Sequence, residues 1–284
     1  MPMDHRHPTP SVATVEREFD FTKADFERVR ALIRERAGIA LTAAKENMVY
    51  SRLSRRLRSR GFNRFDDYLA FVESGDAEEW EAFVNSLTTN LTSFFREGHH
   101  FPLLADLLRS RQRGGTLTIW CTASSTGEEP YSLAITACDA FSTLTPPVRI
   151  IASDIDTQVL ATAQRGVYAE DRWKGLELAQ LRRYFQRGTG INAGKARVRP
   201  ELQKLIDFRQ INLLAPSWDV PGDLTAIFCR NVMIYFDRPT QYQILARFAP
   251  LLAPGGLLFA GHSESFSHAN RLFRLRGKTV YELA

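Results

Sequence analysis

Residues 116–131 read TLTIWCTASSTGEEPY, and the reading of the fold turns on them. Thr116 to Cys121 is an apolar run of strand length. A bend of small residues follows, Thr122 to Gly127, and then a helical pattern from about Pro130 to Phe141. Pro130 is expected at the first helical position, where its missing N–H costs little. Small side chains let the backbone of the bend approach a ligand, although an ordinary strand-to-helix turn has the same pattern. Neither the Gly-x-Gly-x-x-Gly nor the Gly-Lys-Ser/Thr phosphate signature is present. Glu128 and Glu129 make a poor pyrophosphate cradle but suit a cationic ligand.

The grammar repeats on the C-terminal side. Pro146-Pro147 lead into a strand from Val148 to Ser153, then a helix from Thr157 to Gly166. Leu224 to Cys229 and Leu257 to Ala260 read as strands, with a helix from Pro239 to Leu252 between them. Strands alternating with helices imply an α/β fold with a doubly wound, mostly parallel sheet. Such a sheet binds ligands beyond the carboxyl ends of its strands. The second strand ends in Ser153-Asp154-Ile155-Asp156, where a carboxylate can accept from both ribose hydroxyls or simply cap the next helix. Ribose at one bend and a cation at the other describe S-adenosylmethionine, which has a ribose, an amino group and a sulfonium.

On the N-terminal side the pattern is purely helical from Phe21 to about Val84. Thr22 is placed to cap the first helix and Gly38 to close it, with Phe26, Val29, Leu32 and Ile33 on one face. Thr42 is expected to cap a second helix reaching Gly61, with others over 65–72 and from Glu78 toward Leu87. Residues 1–18 read as a disordered tail, 19–88 as an all-helical domain and 89–284 as the sheet domain. A glycine-bearing antiparallel β insert is expected at about 186–210.

Composition excludes several classes. No run of 18 apolar residues exists, and residues 1–15 lack the apolar core of a secretion signal. Three widely spaced cysteines, Cys121, Cys138 and Cys229, form no Cys-x-x-Cys pair, so reduced thiols in a cytoplasmic protein are expected. No metal is expected, because His99-His100 have no third ligand at a telling spacing and read as a solvated helix start. Gly261-His262-Ser263-Glu264-Ser265 lacks the last glycine of a nucleophile elbow. Thirty-seven Lys and Arg against 32 Asp and Glu leave +5, which permits an acidic partner without demanding nucleic acid.

The runs TNLTSFFRE (89–97), WCTASSTGEEPYS (120–132), ASDIDTQVL (152–160), FCRNVMIYFD (228–237) and GGLLFAGHSES (255–265) closely resemble the CheR family of chemotaxis-receptor glutamate methyltransferases. The resemblance extends from about Phe21 to the C-terminus. It implies a helical N-terminal domain before a class I S-adenosylmethionine-dependent methyltransferase fold, with a small antiparallel insert. It places Asn90, Thr92 and Arg96 around the cofactor, Glu129 at its cationic end and Asp154 at its ribose. Asn212-Leu213 and Asn231-Val232 complete that pocket. Thr122-Ala123-Ser124 stands where similar proteins often have Ala-Ala-Ala or Ala-Gly-Cys, a small-for-small departure. The implied reaction forms glutamate methyl esters on receptors and releases S-adenosylhomocysteine, with Arg230 and Tyr235 as candidates for positioning the substrate carboxylate.

Between Lys45 and Arg64 seven basic residues face one acid, Glu46. Val49, Leu53 and Leu57 form one stripe, and Arg52, Arg55 and Arg58 are expected on the other side. A charge run is ordinarily a solvated face, but a receptor with glutamate-rich helices makes it a docking face. Arg187, Gly188, Gly190 and Arg197 look like the part of the insert that docks a receptor's C-terminal tail peptide as an added strand, or else a plain hairpin loop. Two rivals stay open. One is an RNA methyltransferase of the same fold, although Asn231-Val232-Met233-Ile234 replaces the Asn/Asp-Pro-Pro-aromatic signature. The other is a cofactor-sensing module without catalysis.

Overall fold

The computed structural model describes residues 17–111, 115–173 and 175–284. Most of the expected tail, residues 1–16, lies outside the described residues. Arg17 and Glu18 do not behave as tail: Arg17 donates to Asn47 at 2.8 Å and Glu18 pairs with Arg58. Four helices build the N-terminal unit. They are α1 (Lys23–Ala37), α2 (Glu46–Arg60), α3 (Phe65–Glu73) and α4 (Ala77–Leu87). Thr22 and Asp25 close a reciprocal capping box on α1, and Gly38 ends it with φ 71°. Thr42 caps nothing with its side chain. Its carbonyl instead accepts the Lys45 N–H of a single 3₁₀ turn, and α2 begins after that turn. Val29, Ile33, Val49, Leu53, Leu57, Phe65, Tyr68 and Phe83 are buried together.

Residues beyond α4 form α5 (His100–Ser110), whose start at His99-His100 the sequence suggested without giving its extent. His100 is not solvated; it is buried, and its Nε2 lies 3.1 Å from the Lys278 carbonyl. Phe101, Leu104 and Leu108 face the core at helical spacing. Then β1 (Leu117–Cys121), α6 (Glu128–Phe141), β2 (Val148–Asp154) and α7 (Thr157–Arg165) follow in order. Pro130 is the third residue of α6 rather than the first. That position is equally free, since the first four N–H groups of a helix have no acceptor within it.

The insert starts earlier than expected. Its strands are β3 (Val167–Ala169), β4 (Phe185–Arg187) and β5 (Lys195–Val198), antiparallel with β5 central, and α8 (Leu178–Tyr184) lies between β3 and β4. After α9 (Pro200–Gln203), β6 (Ile206–Gln210) returns to the large sheet beside β2. The segment 206–210 therefore belongs to the main sheet, because its register with Ile150–Asp154 pairs it there.

The chain ends with β7 (Leu224–Cys229), α10 (Arg238–Phe248), β8 (Leu252–Ala260), β9 (Phe273–Gly277) and β10 (Val280–Leu283). The seven strands of the large sheet lie in the order β6-β2-β1-β7-β8-β10-β9, parallel except where β10 pairs antiparallel with β8 and β9. The order reverses at β1, between β2 and β7, so the carboxyl ends of these three strands flank a crevice. All three cysteines are buried and unbonded to one another. Among the described residues no helix is long and apolar enough to cross a membrane, and no cluster of three metal-ligating side chains occurs.

Candidate cofactor and substrate site

A cavity opens at that crevice, with about 940 Å³ of empty space including its mouth. Asn90, Thr92, Arg96, Glu129, Asp154, Asn212, Leu213, Arg230, Asn231, Val232 and Tyr235 all line it. These eleven residues come from five separate segments of sequence, brought together by the strand ends and the linker 88–97.

Asp154 ends β2. Its Oδ2 accepts the Ser125 N–H at 2.8 Å and its Oδ1 the Asp156 N–H at 3.0 Å. An ionised carboxylate has about four acceptor positions, so each oxygen retains capacity toward the cavity. Burial pushes its pKa up to about 6. Asp156 caps α7 through Oδ1, and its Oδ2 accepts from Thr88 Oγ1 at 2.7 Å and Asn90 Nδ2 at 2.9 Å. The two aspartates have thus divided the alternatives: Asp156 is the cap and Asp154 lines the cavity.

Glu129 is on the first turn of α6. Burial raises its pKa, opposed by Arg230. Arg230 Nη1 donates to Glu129 Oε2 at 2.8 Å, Nη2 lies 3.2 Å from Glu97 Oε2, and Nη2 also donates to the Arg96 carbonyl. Arg230, expected to position a substrate carboxylate, is thus buried and shared among two carboxylates and a carbonyl. Arg96 has no carboxylate partner among the described residues. It is half-buried, and its guanidinium makes one hydrogen bond among the described residues, to the Leu91 carbonyl at 2.7 Å. Tyr235 shares the same cavity wall.

Two residues that support the site escaped sequence reasoning. Glu97 accepts the His262 N–H at 3.0 Å, and Asn231 Nδ2 lies 3.4 Å from it. Burial raises its pKa, but those donors and Arg230 outweigh that and leave it lowered. Glu264 accepts from the N–H groups of Gly261 at 2.6 Å, Asn231 at 3.0 Å and Val232 at 3.0 Å. Both glutamates stand inside quoted motif runs, yet nothing in the spacing names their partners. Phe95, Glu97, Ser125 and Asn231 have φ between 47° and 58°. Such backbone persists only where surrounding contacts hold it. Asn212 turns its amide away, donating to the Arg36 carbonyl at 2.7 Å. Helical-domain residues Ala37, Ile39 and Leu87 complete the wall.

Sheet order, reversal point and an acid closing β2 over a deep cavity define an S-adenosylmethionine-dependent methyltransferase of class I fold. Residues 24–88 match the family described as "CheR methyltransferase, all-alpha domain" and residues 90–282 "CheR methyltransferase, SAM binding domain". A chemotaxis protein methyltransferase of Escherichia coli is 56% identical over 262 residues, 92% of this chain and 91% of that one. Chemotaxis protein methyltransferase 2 of Pseudomonas aeruginosa is 54% identical over 277 residues, 97% and 99% of the two chains. A TehB-like methyltransferase structure from Corynebacterium glutamicum aligns with TM-score 0.38 and 12% identity, over 76% of this chain and 99% of that one. The chain belongs to the CheR methyltransferase family, and S-adenosylmethionine is its cofactor.

Proposed function

We propose that this enzyme methylates glutamate side chains of chemotaxis receptors in the cytoplasm, forming methyl esters and releasing S-adenosylhomocysteine. One observation carries the reading: the cavity sets buried carboxylates for a cationic nucleoside beside an arginine with unused donors. Bound cofactor supplies an electrophilic methyl group on its sulfonium. Asp154 holds the ribose, and Glu129, aimed by Arg230, faces the positive end. The incoming glutamate, with an ordinary pKa near 4.3, needs no base at neutral pH. Arg96 and Tyr235 orient it, a role better suited to Arg96 than to Arg230, whose two Nη groups are already paired. A dry cavity favours the step, because attack cancels opposite charges.

The receptor's glutamate-rich helices would meet α2, and a receptor tail would meet the insert. The test incubates the protein with radiolabelled cofactor and separate receptor and RNA preparations. Base-labile label on receptor is expected. Label on RNA, or base-stable label on protein, overturns the reading.

A further inference from the structure

Adjacent to Glu129 a second carboxylate faces the opposite way. Glu128 opens α6, is fully buried and lies outside the cavity wall. A glutamate in a first helical turn ordinarily serves the helix's own N–H groups. Glu128 instead meets an arginine from the insert. Arg172, in the 3₁₀ turn after β3, donates through Nε to Glu128 Oε1 at 2.9 Å and through Nη2 to the same oxygen. Nη2 also reaches Thr126 Oγ1 at 3.1 Å, and that hydroxyl donates to Glu128 Oε2 at 2.6 Å. Tyr168 of β3 donates its hydroxyl to the Thr126 carbonyl at 2.8 Å. Gly127, at φ 101°, leaves no space: a Cβ there would stand 2.6 Å from the Tyr168 hydroxyl oxygen.

The turn Ser125–Glu129 therefore has cavity on one side and insert on the other. Its backbone at Ser125 (φ 47°) needs outside support, and the insert packs against the turn at Gly127. We infer that Arg172 is a positioning residue for the cofactor turn: by fixing Glu128 it holds the Ser125 N–H on Asp154 and Glu129 in the cavity. Glu128 and Glu129 are consecutive on one helical turn, so rotation that frees the first misaims the second. The inference rests on the reading that Glu129 faces the cofactor's cation. Coupling of this kind is reciprocal, so a partner that shifts the small sheet alters cofactor affinity by the factor that cofactor alters the partner's.

The experiment uses the full chain. Arg172→Gln leaves Glu128 buried without its cation, so the Glu128→Gln/Arg172→Gln pair, which leaves no buried charge, accompanies it. Calorimetry should show S-adenosylmethionine affinity about 5- to 20-fold weaker in both, at the lower end of ordinary coupling. In receptor methylation KM for the cofactor should rise while kcat stays within about twofold, the pattern of lost ground-state binding. Arg172→Lys should recover part of the loss, since an ammonium reaches Glu128 but cannot span to Thr126. A merely structural residue would lower the melting temperature and leave the folded protein's affinity unchanged. Wild-type affinity in both variants, with Glu129→Gln weakened, overturns the inference. Wild-type affinity in Glu129→Gln overturns the reading of the site beneath it.

Discussion

Asp154 is the residue whose chemistry is most exposed to test. Its pKa near 6, raised by burial from the ordinary 3.8, lies above that of the unfolded chain. The free folded protein therefore holds this proton more tightly than the unfolded one. What Asp154 contributes to stability is present at acid pH and lost as pH rises through about 6. Cofactor affinity runs the other way, because ribose hydroxyls need an ionised acceptor. At pH 5 about a tenth of the carboxyl is ionised, so calorimetry should find affinity about tenfold weaker than at pH 8. Asp154→Asn cannot titrate and should bind weakly without that step. Equal wild-type affinity at the two pH values would remove Asp154 from the ribose. Gly38 is a second residue with a sharp expectation. Its φ is 71°, and a Cβ would lie 2.6 Å from the Phe236 ring and 2.8 Å from Leu214. Gly38→Ala should cost about 1–3 kcal/mol in denaturant unfolding and also weaken cofactor binding, since Phe236 and the neighbouring Ile39 line the cavity.

At the scale of elements, α2 is less of a bare cationic rod than its sequence suggests. Arg56 and Arg60 clasp the buried Glu79, joined by the Tyr68 hydroxyl at 2.8 Å from it. Arg52 lies about 100° around the helix from Leu53, on the flank of the buried stripe, and donates to the carbonyls of Ser86 and Thr88. Arg58 is exposed but shares its charge with Glu18. Arg55 alone of the three expected docking arginines is exposed with no ion-pair or hydrogen-bond partner among the described residues. Arg55→Glu should therefore slow receptor methylation at low salt more than Arg58→Glu, with cofactor affinity unchanged in both. Arg52→Ala should act on stability instead, costing about 1–2 kcal/mol for the carbonyls it abandons. Equal rates for wild type and Arg55→Glu would make α2 a plain solvated face. The insert needs a similar division. Arg187 pairs in register with Ala196, whereas Arg197 pairs with Gln186 and Val167, so the two arginines belong to opposite faces of the small sheet. One acidic side chain of a tail peptide cannot meet both, and single substitutions should differ in their effect on tail binding. Equal losses from Arg187→Ala and Arg197→Ala in a peptide titration would contradict that register.

The whole molecule joins its two halves through the cavity. Arg34 of α1 pairs with Asp237 at 2.7 Å, the Ala40 N–H donates to the Tyr235 carbonyl at 2.9 Å, and Asn85 meets Thr157 at 3.1 Å. A ligand in the cavity touches both halves, so at about 100 times its Kd the cofactor should add about 2.7 kcal/mol and merge their unfolding into one transition. Separate calorimetric transitions at saturating cofactor would refute that union. Much of this architecture was legible because strand–helix alternation is a regular signal and the motif runs after residue 116 sit at strand ends. The limits were physical as well. Three-residue strands such as β3 and β4 carry too little periodicity to register, and β6 looks like insert until β2 is seen to pair with it. Ion pairs such as Arg230–Glu129, 101 positions apart, leave no local trace, which is why Arg230 looked free. The cavity wall has a further consequence during synthesis. Ala37 and Ile39 leave the ribosome roughly two hundred residues before Tyr235 and Phe236, an interval of about 10–40 s at ordinary elongation rates. The helical core is local in sequence and can condense at once, yet its half of the cavity stays bare throughout that delay. Cofactor cannot protect that surface in the nascent chain until residues 235 and 236 have emerged and folded against it.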